Sequence, residues 1–548
     1  MAGYTIGVDF GSLSARAVLL SAENGNEIAV AESAYAHGVM NEADICGGTS
    51  SDKTALQHPE DYRRSLGETV RGVLKKSGIS PDEIGAIAID FTASNVMPVD
   101  KDGEPLASLP EFEKEPHAYV KMWKHHGASD EAKRLTDVAR EKFPELLQAY
   151  SGVISSEWFF AKVYEVFNKA PEVYDRAHRF LEAGDWITML LTDSDAKSAG
   201  LAGYKALWCE DYGYPSDEFF GADDPAFRNV VSEKMSGEVK ELGERAGLMS
   251  KRGADITGLN VGTPVSVSLI DAHAALPAAG AVDPGDLMII MGTSACHIII
   301  SDKEADVMGI CGRVKGGVVP GYFAYEAGQP AVGDALAWFT KSCVTASYES
   351  EARDRGISIF ELLGEKAKRL GESESRLIAL DWWNGSRSPY ADYRLSGLIL
   401  GLTLATPPEA IFRAMCESIA YGTRRIIEEY ERGGIEVKRV IVGGGIAKKN
   451  GYIMQMLADV CGREIYVSDS RQAGAHGSAI YAAVSAGYYN TVAEAAEAMA
   501  SGADEKFTPH RGKRIYDVLY REYIGLCEYF HSENEVMKRL ARLTNVDK

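Results

Sequence analysis

Residues 4–20, YTIGVDFGSLSARAVLL, read as an apolar strand, a Gly11-Ser12 turn and a second apolar strand; residues 286–301, DLMIIMGTSACHIIIS, repeat that plan around Gly292-Thr293-Ser294. Each stretch predicts a β-hairpin whose turn carries glycine and small hydroxyls. Two further pairs follow in the same order. Residues 83–94, EIGAIAIDFTAS, are a buried strand ending in small polar residues, and residues 438–450, KRVIVGGGIAKKN, are a buried strand running into three glycines. Residues 265–282, VSVSLIDAHAALPAAGAV, match residues 465–487, IYVSDSRQAGAHGSAIYAAVSAG: each is a strand, a short turn with an Ala-His pair and an alanine-rich helix. Three corresponding units in one order predict a duplicated α/β domain with the ligand between its halves. The breaker cluster Asp283-Pro284-Gly285 sets the expected boundary, giving domains 1–284 and 285–548.

Beyond these pairs, Thr406-Pro407-Pro408-Glu409 reads as a capping box with proline at the helix start. It opens a helix to about Tyr430, with Ile411, Met415, Ile419, Ile426 and Tyr430 at helical spacing and Gly433-Gly434 as the stop. From Arg514 onward Tyr516, Leu519, Tyr520 and Tyr523 predict a helix with a buried seam. A length of 548 residues implies two or three domains. The net charge of −21 repels nucleic acid and anionic membranes, so neither is expected as a partner. No apolar run reaches the ~18 residues of a membrane span. The first residues lack a signal peptide's basic region and cleavage site, so a cytoplasmic protein is expected. Eight scattered cysteines without a C-x-x-C pair suit a reducing compartment, and all eight are expected to be buried structural thiols. A homo-oligomer is left open.

Turns of glycine followed by Ser or Thr expose backbone N–H groups with no Cβ in the way, and such nests bind phosphate oxygens even on an acidic protein. One in each half, at Gly11-Ser12 and Gly292-Thr293-Ser294, would grip the β- and γ-phosphates of a nucleotide. Asp9, at the end of the first strand, is a natural anchor for Mg²⁺, which binds through one or two carboxylates plus phosphates and waters. The alternative is that Asp9 hydrogen-bonds its own turn. Gly443-Gly444-Gly445 lets the backbone pass flat against a ligand such as adenine. Asn450 caps the following helix or touches the nucleotide; the sequence leaves both open. Asp271, ending the strand VSVSLI, is the candidate to accept a hydroxyl proton in phosphoryl transfer, or else the N-cap of the next helix. His273 is expected to be buried against a carbonyl rather than to act as the base.

The segments IGVDFGSLSARAV, IDFTAS, MWKHH, SSEWFFAK, AGYKALW, DAHAALPAAG, MGTSACH, VVPGYFAYEAGQPAVGDALAWF, LDWWNGSRSP and GGGIAKKN resemble those of the FGGY family of carbohydrate kinases. The resemblance covers nearly the whole chain, and SSEW, AGYKALW, PGYFAYEAGQ and DWWNG are more particular to the branch acting on L-ribulose. It implies an actin-like, ribonuclease-H-like duplicated fold, two domains around a central cleft. It also implies transfer of the γ-phosphate of Mg-ATP to a terminal hydroxyl of a ketopentose, with a small ketose or polyol and ATP as the partners. Asp9 then corresponds to the magnesium-linked aspartate, Gly11 and Ser12, with Arg16 nearby, to the first phosphate turn, and Gly292, Thr293 and Ser294 to the second. Gly443, Gly444, Gly445 and Asn450 correspond to the adenosine segment, Asp271 to the general base, and Ala93, Lys205, Asp271 and Glu326 to the ketose contacts. A lysine and a glutamate in apolar, glycine-rich stretches make sense as hydroxyl partners; the alternative is a salt bridge between Lys205 and Glu326.

Three places depart from the family's pattern. Leu13 stands in the first phosphate turn where a polar residue is common, Asn95 follows the sugar-side segment, and His476 and Ser478 replace apolar residues in a segment expected to support the nucleotide pocket. Two rival readings remain. One is a kinase for another pentulose or pentitol (ribitol, D-ribulose, xylulose), and the other is a non-catalytic actin-fold ATP switch, which would not require Asp271, Lys205 and Glu326.

Overall fold

The strand Tyr4–Phe10 pairs antiparallel with Ser14–Ser21, with Phe10 opposite Ala15, so the first hairpin closes through Gly11, Ser12 and Leu13. The structure, a computed structural model, describes residues 3–47, 53–371, 377–503, 505–510 and 514–543. The chain divides into two compact units. One holds Met1–Asp283, Gly312–Ala324 and Ser470–Gly502; the other holds Pro284–Cys311, Tyr325–Asp469 and Ala503–Lys548.

In the first unit the strands run in the order Arg245–Leu248, Pro264–Ser266, Ile84–Phe91, Tyr4–Phe10, Ser14–Ser21, Glu27–Ala34, and Leu269–Ile270 also pairs with Ile84–Phe91. Tyr4–Phe10 and Ile84–Phe91 are parallel and central, which is why their sequences are near-continuous apolar runs. Ile6, Val8 and Phe10 pack with Ile87, Ile89 and Phe91, and the Phe10 and Phe91 rings stack 4.5 Å apart. A second core of the same unit, rich in aromatic rings, gathers Phe159, Phe160, Tyr164, Phe220 and Phe227. The second unit repeats the plan. Asp286–Met291 pairs antiparallel with Ala295–Ser301 and parallel with Arg439–Gly443, which pairs parallel with Ile465–Val467.

The unit boundary near Pro284 coincides with the breaker cluster, but the domain 285–548 expected from sequence loses two segments to the first unit. The larger carries the helix Ala473–Ala486, and its packing explains the transfer. A Cβ on Gly7 would stand 1.8 Å from the Ala475 carbonyl oxygen, and one on Gly477 would stand 1.6 Å from that of Ala274. Backbones that close admit only glycine. Ala475, Ala479, Ile480 and Ala483 of this helix then bury Val18 and Leu20 of the first sheet. The segment therefore belongs to the first unit's core and not to the unit that carries the triple glycine.

Two other expectations change. The helix Pro408–Arg432 starts from Pro407 without a side-chain cap. Thr406 Oγ1 instead accepts from Thr403 N at 2.9 Å, and Glu409 accepts from the Tyr348 hydroxyl at 2.6 Å. The N-cap position falls to Pro407, which has no hydroxyl, while the Thr406 hydroxyl one residue earlier is spent on Thr403. Of the cysteines, only Cys416 and Cys527 are buried; Cys209, Cys296, Cys311 and Cys461 are partly buried, and Cys46 and Cys343, each the last residue of its helix, are exposed. The helix Arg514–Glu528 buries Tyr516, Leu519, Tyr520 and Tyr523 as its spacing predicts. Among the described residues no helix is long and apolar enough to cross a membrane.

Candidate active site

Parallel pairing in register collects carboxyls at one end of the first sheet. Asp9 lies opposite Asp90, and Leu269 lies on the other side of Asp90, so Asp271 follows two residues beyond the same level. Asp271 is the first residue of the helix Asp271–Ala278, whose N-cap is Ile270, and its carboxylate accepts from Ala272 N at 2.7 Å. It is thus half-buried at a strand-to-helix junction. His273 lies on the buried side of that helix, its ring edge-on to Tyr204 at 4.4 Å.

Burial pushes the Asp9 carboxyl up, against the hydrogen bond to Asp90 and the pull of Arg16. Asp90 is fully buried, and burial, then the Asp9 charge, pushes it well up, while Ser478 Oγ donates to it at 2.6 Å and opposes the rise. Gly474 lets the helix pass over this pair, because a Cβ there would stand 2.9 Å from Asp90 Oδ1. Arg16 sits opposite Asp9 on the neighbouring strand, but its guanidinium donates to Glu32 at 2.9 Å, as does Ser14 Oγ at 3.0 Å. Among the described residues no group of three or more His, Cys, Asp or Glu side chains is arranged to hold a metal. A magnesium ion arriving with nucleotide phosphates needs only one or two carboxylates, and Asp9 fits that demand.

In the first turn, Ser12 Oγ accepts from the Trp123 indole at 3.2 Å, and the Ser12 carbonyl accepts from Gln57 Nε2 at 2.8 Å. Leu13 is 63% exposed, so the departure from a polar residue leaves an apolar side chain at the tip. Residues 92–95 form a polar turn after the strand Ile84–Phe91. Asn95 Nδ2 donates to Thr92 Oγ1 at 2.8 Å, Asn95 Oδ1 accepts from Trp123 N at 2.9 Å, and the Asn95 carbonyl accepts from Ala183 N at 2.8 Å. Asn95, a departure in sequence, is therefore the organiser of its turn, and only Ala93 of the four residues is more than marginally exposed. Lys205 ends the helix Ala199–Lys205, and its charge, with that of Lys162, works against the burial that pushes Glu182 up to about 8.

In the second unit the Gly292 amide donates to the Ser294 carbonyl at 2.9 Å. The carbonyls of Gly292 and Thr293 accept from Gly333 at 3.0 Å and Val332 at 2.8 Å, at the start of the helix Gly333–Cys343. Gly444 has φ 93°, and a Cβ on it would stand 2.4 Å from the Met291 carbonyl oxygen, so this glycine is what the turn requires. Asn450 caps the helix Gly451–Cys461, accepting from Ile453 N at 3.2 Å, which settles its structural role. Glu326 is buried on the strand Phe323–Gln329.

The first unit thus holds Asp9, Gly11, Ser12, Arg16, Ala93, Lys205 and Asp271; the second holds Gly292–Ser294, Glu326, Gly443–Gly445 and Asn450. Sequence reasoning gave no role to Asp90, Trp123, Lys162 and Glu182, and took Ser478 only as a departure from the family's pattern. Asp90 and Glu182 carry a signal that would have found them, an ionisable residue inside a buried apolar stretch.

Residues 4–277 match the N-terminal domain, and residues 287–486 the C-terminal domain, of the FGGY family of carbohydrate kinases. A protein of Halalkalibacterium halodurans named ribulokinase is 45% identical over 99% of this chain and 98% of its own. One of Mycolicibacterium smegmatis with the same name is 40% identical over 98% of this chain and 96% of its own. Among solved structures, a xylulose kinase from Rhodospirillum rubrum superposes with a TM-score of 0.77 at 20% identity, covering 96% of this chain and 99% of that one. A glycerol kinase with ADP from Plasmodium falciparum gives 0.76 at 16% identity, covering 96% and 98%. The fold is the actin-like, ribonuclease-H-like one of these kinases.

Proposed function

We propose a reaction for a chain that belongs to the FGGY family of carbohydrate kinases: transfer of the γ-phosphoryl group of ATP to the terminal hydroxyl of a ketopentose, L-ribulose in preference to other pentuloses or pentitols. The observation that carries the substrate is identity of 40–45% over nearly the full length to relatives named ribulokinase. The chemistry is assigned to Asp271, a carboxylate where the strand Leu269–Ile270 gives way to a helix.

In this reading Asp271 accepts the proton of the attacking hydroxyl. The hydroxyl oxygen forms its bond to the γ-phosphorus, the bond from that phosphorus to the bridging oxygen breaks in line, and ADP leaves. Ala93, Lys205 and Glu326 hold the sugar hydroxyls, which fixes the nucleophile for attack. Gly11, Ser12 and Gly292–Ser294 offer backbone donors to the phosphates, and Gly443–Gly445 leaves room for the adenosine. Asp9 is the ligand for Mg²⁺, which when bound neutralises charge on the phosphates. Arg16, engaged by Glu32, steadies the turn and the Asp9 side chain rather than reaching the phosphates. A reaction that consumes ATP suits the cytoplasm.

A panel of ketopentoses and pentitols in a coupled ADP-release assay tests the reading. It expects L-ribulose to give the highest kcat/KM; ADP release that no sugar stimulates would leave an ATP switch in its place.

A further inference from the structure

Lys162 lies in the helix Phe159–Lys169 and is fully buried, yet it serves none of the groups assigned above. Its ammonium donates to the carbonyl of Ser94 at 2.6 Å and to that of Met122 at 2.7 Å. Those carbonyls belong to two segments far apart in sequence. Ser94 is the third residue of the turn 92–95; Met122 precedes Trp123, whose amide is held by Asn95 and whose indole reaches Ser12. One ammonium therefore ties the turn that presents Ala93 to the segment that touches the first phosphate turn.

The turn needs such a tie. Ser94 has φ 64°, left-handed and unfavourable for a residue with a Cβ, and its hydroxyl is buried without a hydrogen-bond partner. A residue in that state persists only where its surroundings over-determine it. Three restraints are on hand: Lys162 at the Ser94 carbonyl, Asn95 bridging Thr92 and Trp123, and the Glu182 carboxyl accepting from the Asn95 backbone N–H. The charge costs are mutual, since burial pulls Lys162 down to about 7 and the Glu182 charge pulls it back up. A buried ammonium that only filled space would be replaced at lower cost by an apolar side chain.

We propose that Lys162 is a positioning residue for the sugar: by holding the Ser94 and Met122 carbonyls it fixes the left-handed turn and so the placement of Ala93. This rests on the reading that Ala93 faces the ketose. It predicts a defect mainly in sugar use, because the ammonium holds the turn of Ala93 directly and reaches the first phosphate turn only through Met122, Trp123 and Ser12.

The test compares Lys162→Met, Asn95→Ala and Ala93→Val in the full-length enzyme, with KM for sugar and for ATP, kcat and thermal unfolding measured on each. Lys162→Met and Asn95→Ala should each raise KM for the sugar about 10–10²-fold, the effect of misplacing a substrate by about 1 Å, with KM for ATP within about twofold of the parent. Should Lys162→Met fail to fold, Asn95→Ala, which strands no buried charge, carries the test. If Ala93→Val raises the sugar KM while the folded Lys162→Met and Asn95→Ala proteins do not, the positioning role is wrong and the sugar-side reading stands. If Ala93→Val leaves the sugar KM unchanged, the turn does not face the sugar and both readings fall. Equal losses in sugar and ATP use would also overturn the proposal, marking Lys162 as a general stabiliser.

Discussion

Asp9 and Asp90 stand side by side in adjacent parallel strands, in register, and burial pushes both carboxyls up. Two buried carboxyls that close share a proton more readily than they carry two charges. The donor that holds the arrangement is Ser478 Oγ, 2.6 Å from Asp90 and brought there by a helix whose sequence lies nearly 400 residues downstream.

Removing that donor isolates its contribution. Ser478→Ala leaves a buried carboxyl oxygen without its hydroxyl and should lower stability by about 1–3 kcal/mol. Urea unfolding of the variant and the parent, with unchanged m, reads this as a lower midpoint. An unchanged midpoint would mean that Asp90 finds another donor.

The hairpins, the Gly444 turn and the position of Asp271 at a strand-to-helix junction were legible because each rests on local chemistry: alternation, a positive φ that only glycine takes readily, and a carboxylate at a strand end. The home of the helix Ala473–Ala486 was not. Its matching segment in the repeat suggested the second half, whereas its location is decided by backbone contacts of Gly7 and Gly477 that no local pattern encodes. Ser478 and His476 looked like departures for the same reason. Ser478 serves Asp90, and His476 bonds the Met499 carbonyl at 2.7 Å, both within the first unit. The capping box at Thr406 failed on a local point, the shift of the N-cap by one residue to Pro407, which has no hydroxyl. Lys162 was quoted within SSEWFFAK, but only tertiary structure shows that its ammonium reaches Ser94.

Asp271→Asn should keep ATP affinity near the parent's and lower kcat by about 10²–10⁴-fold, the usual contribution of a general base. Single-turnover rates with saturating sugar separate chemistry from product release. Near-full activity would exclude Asp271 as the base; the buried placement of His273 against Tyr204 makes it an unsuitable substitute.

At Gly444 the backbone has φ 93°, and a Cβ would meet the Met291 carbonyl oxygen at 2.4 Å. Gly444→Ala should therefore cost more than about 1 kcal/mol and raise KM for ATP while sparing KM for sugar. A rise in the sugar KM alone would remove this turn from the nucleotide site.

Glu182 supplies a pH dependence. Burial, then the Asp185 charge, lifts its folded pKa from 4.5 to about 8, so between those values the folded protein binds a proton that the unfolded chain has released. Its contribution to stability is therefore full below the unfolded pKa and is lost as pH rises towards 8. Glu182→Gln removes this slope, so the variant's melting temperature should gain on the parent's between pH 5 and 8. A constant difference across that window would show that Glu182 is already ionised in the folded protein.

The most direct measurement is the phosphorus-31 spectrum of the product formed from ATP and L-ribulose carrying carbon-13 at its terminal C5. The account expects a new phosphomonoester signal, coupled to two methylene protons and split by the labelled carbon, growing in step with ADP and about 10²–10⁴-fold more slowly with Asp271→Asn. Inorganic phosphate alone, or a phosphomonoester without the carbon-13 splitting, would contradict it.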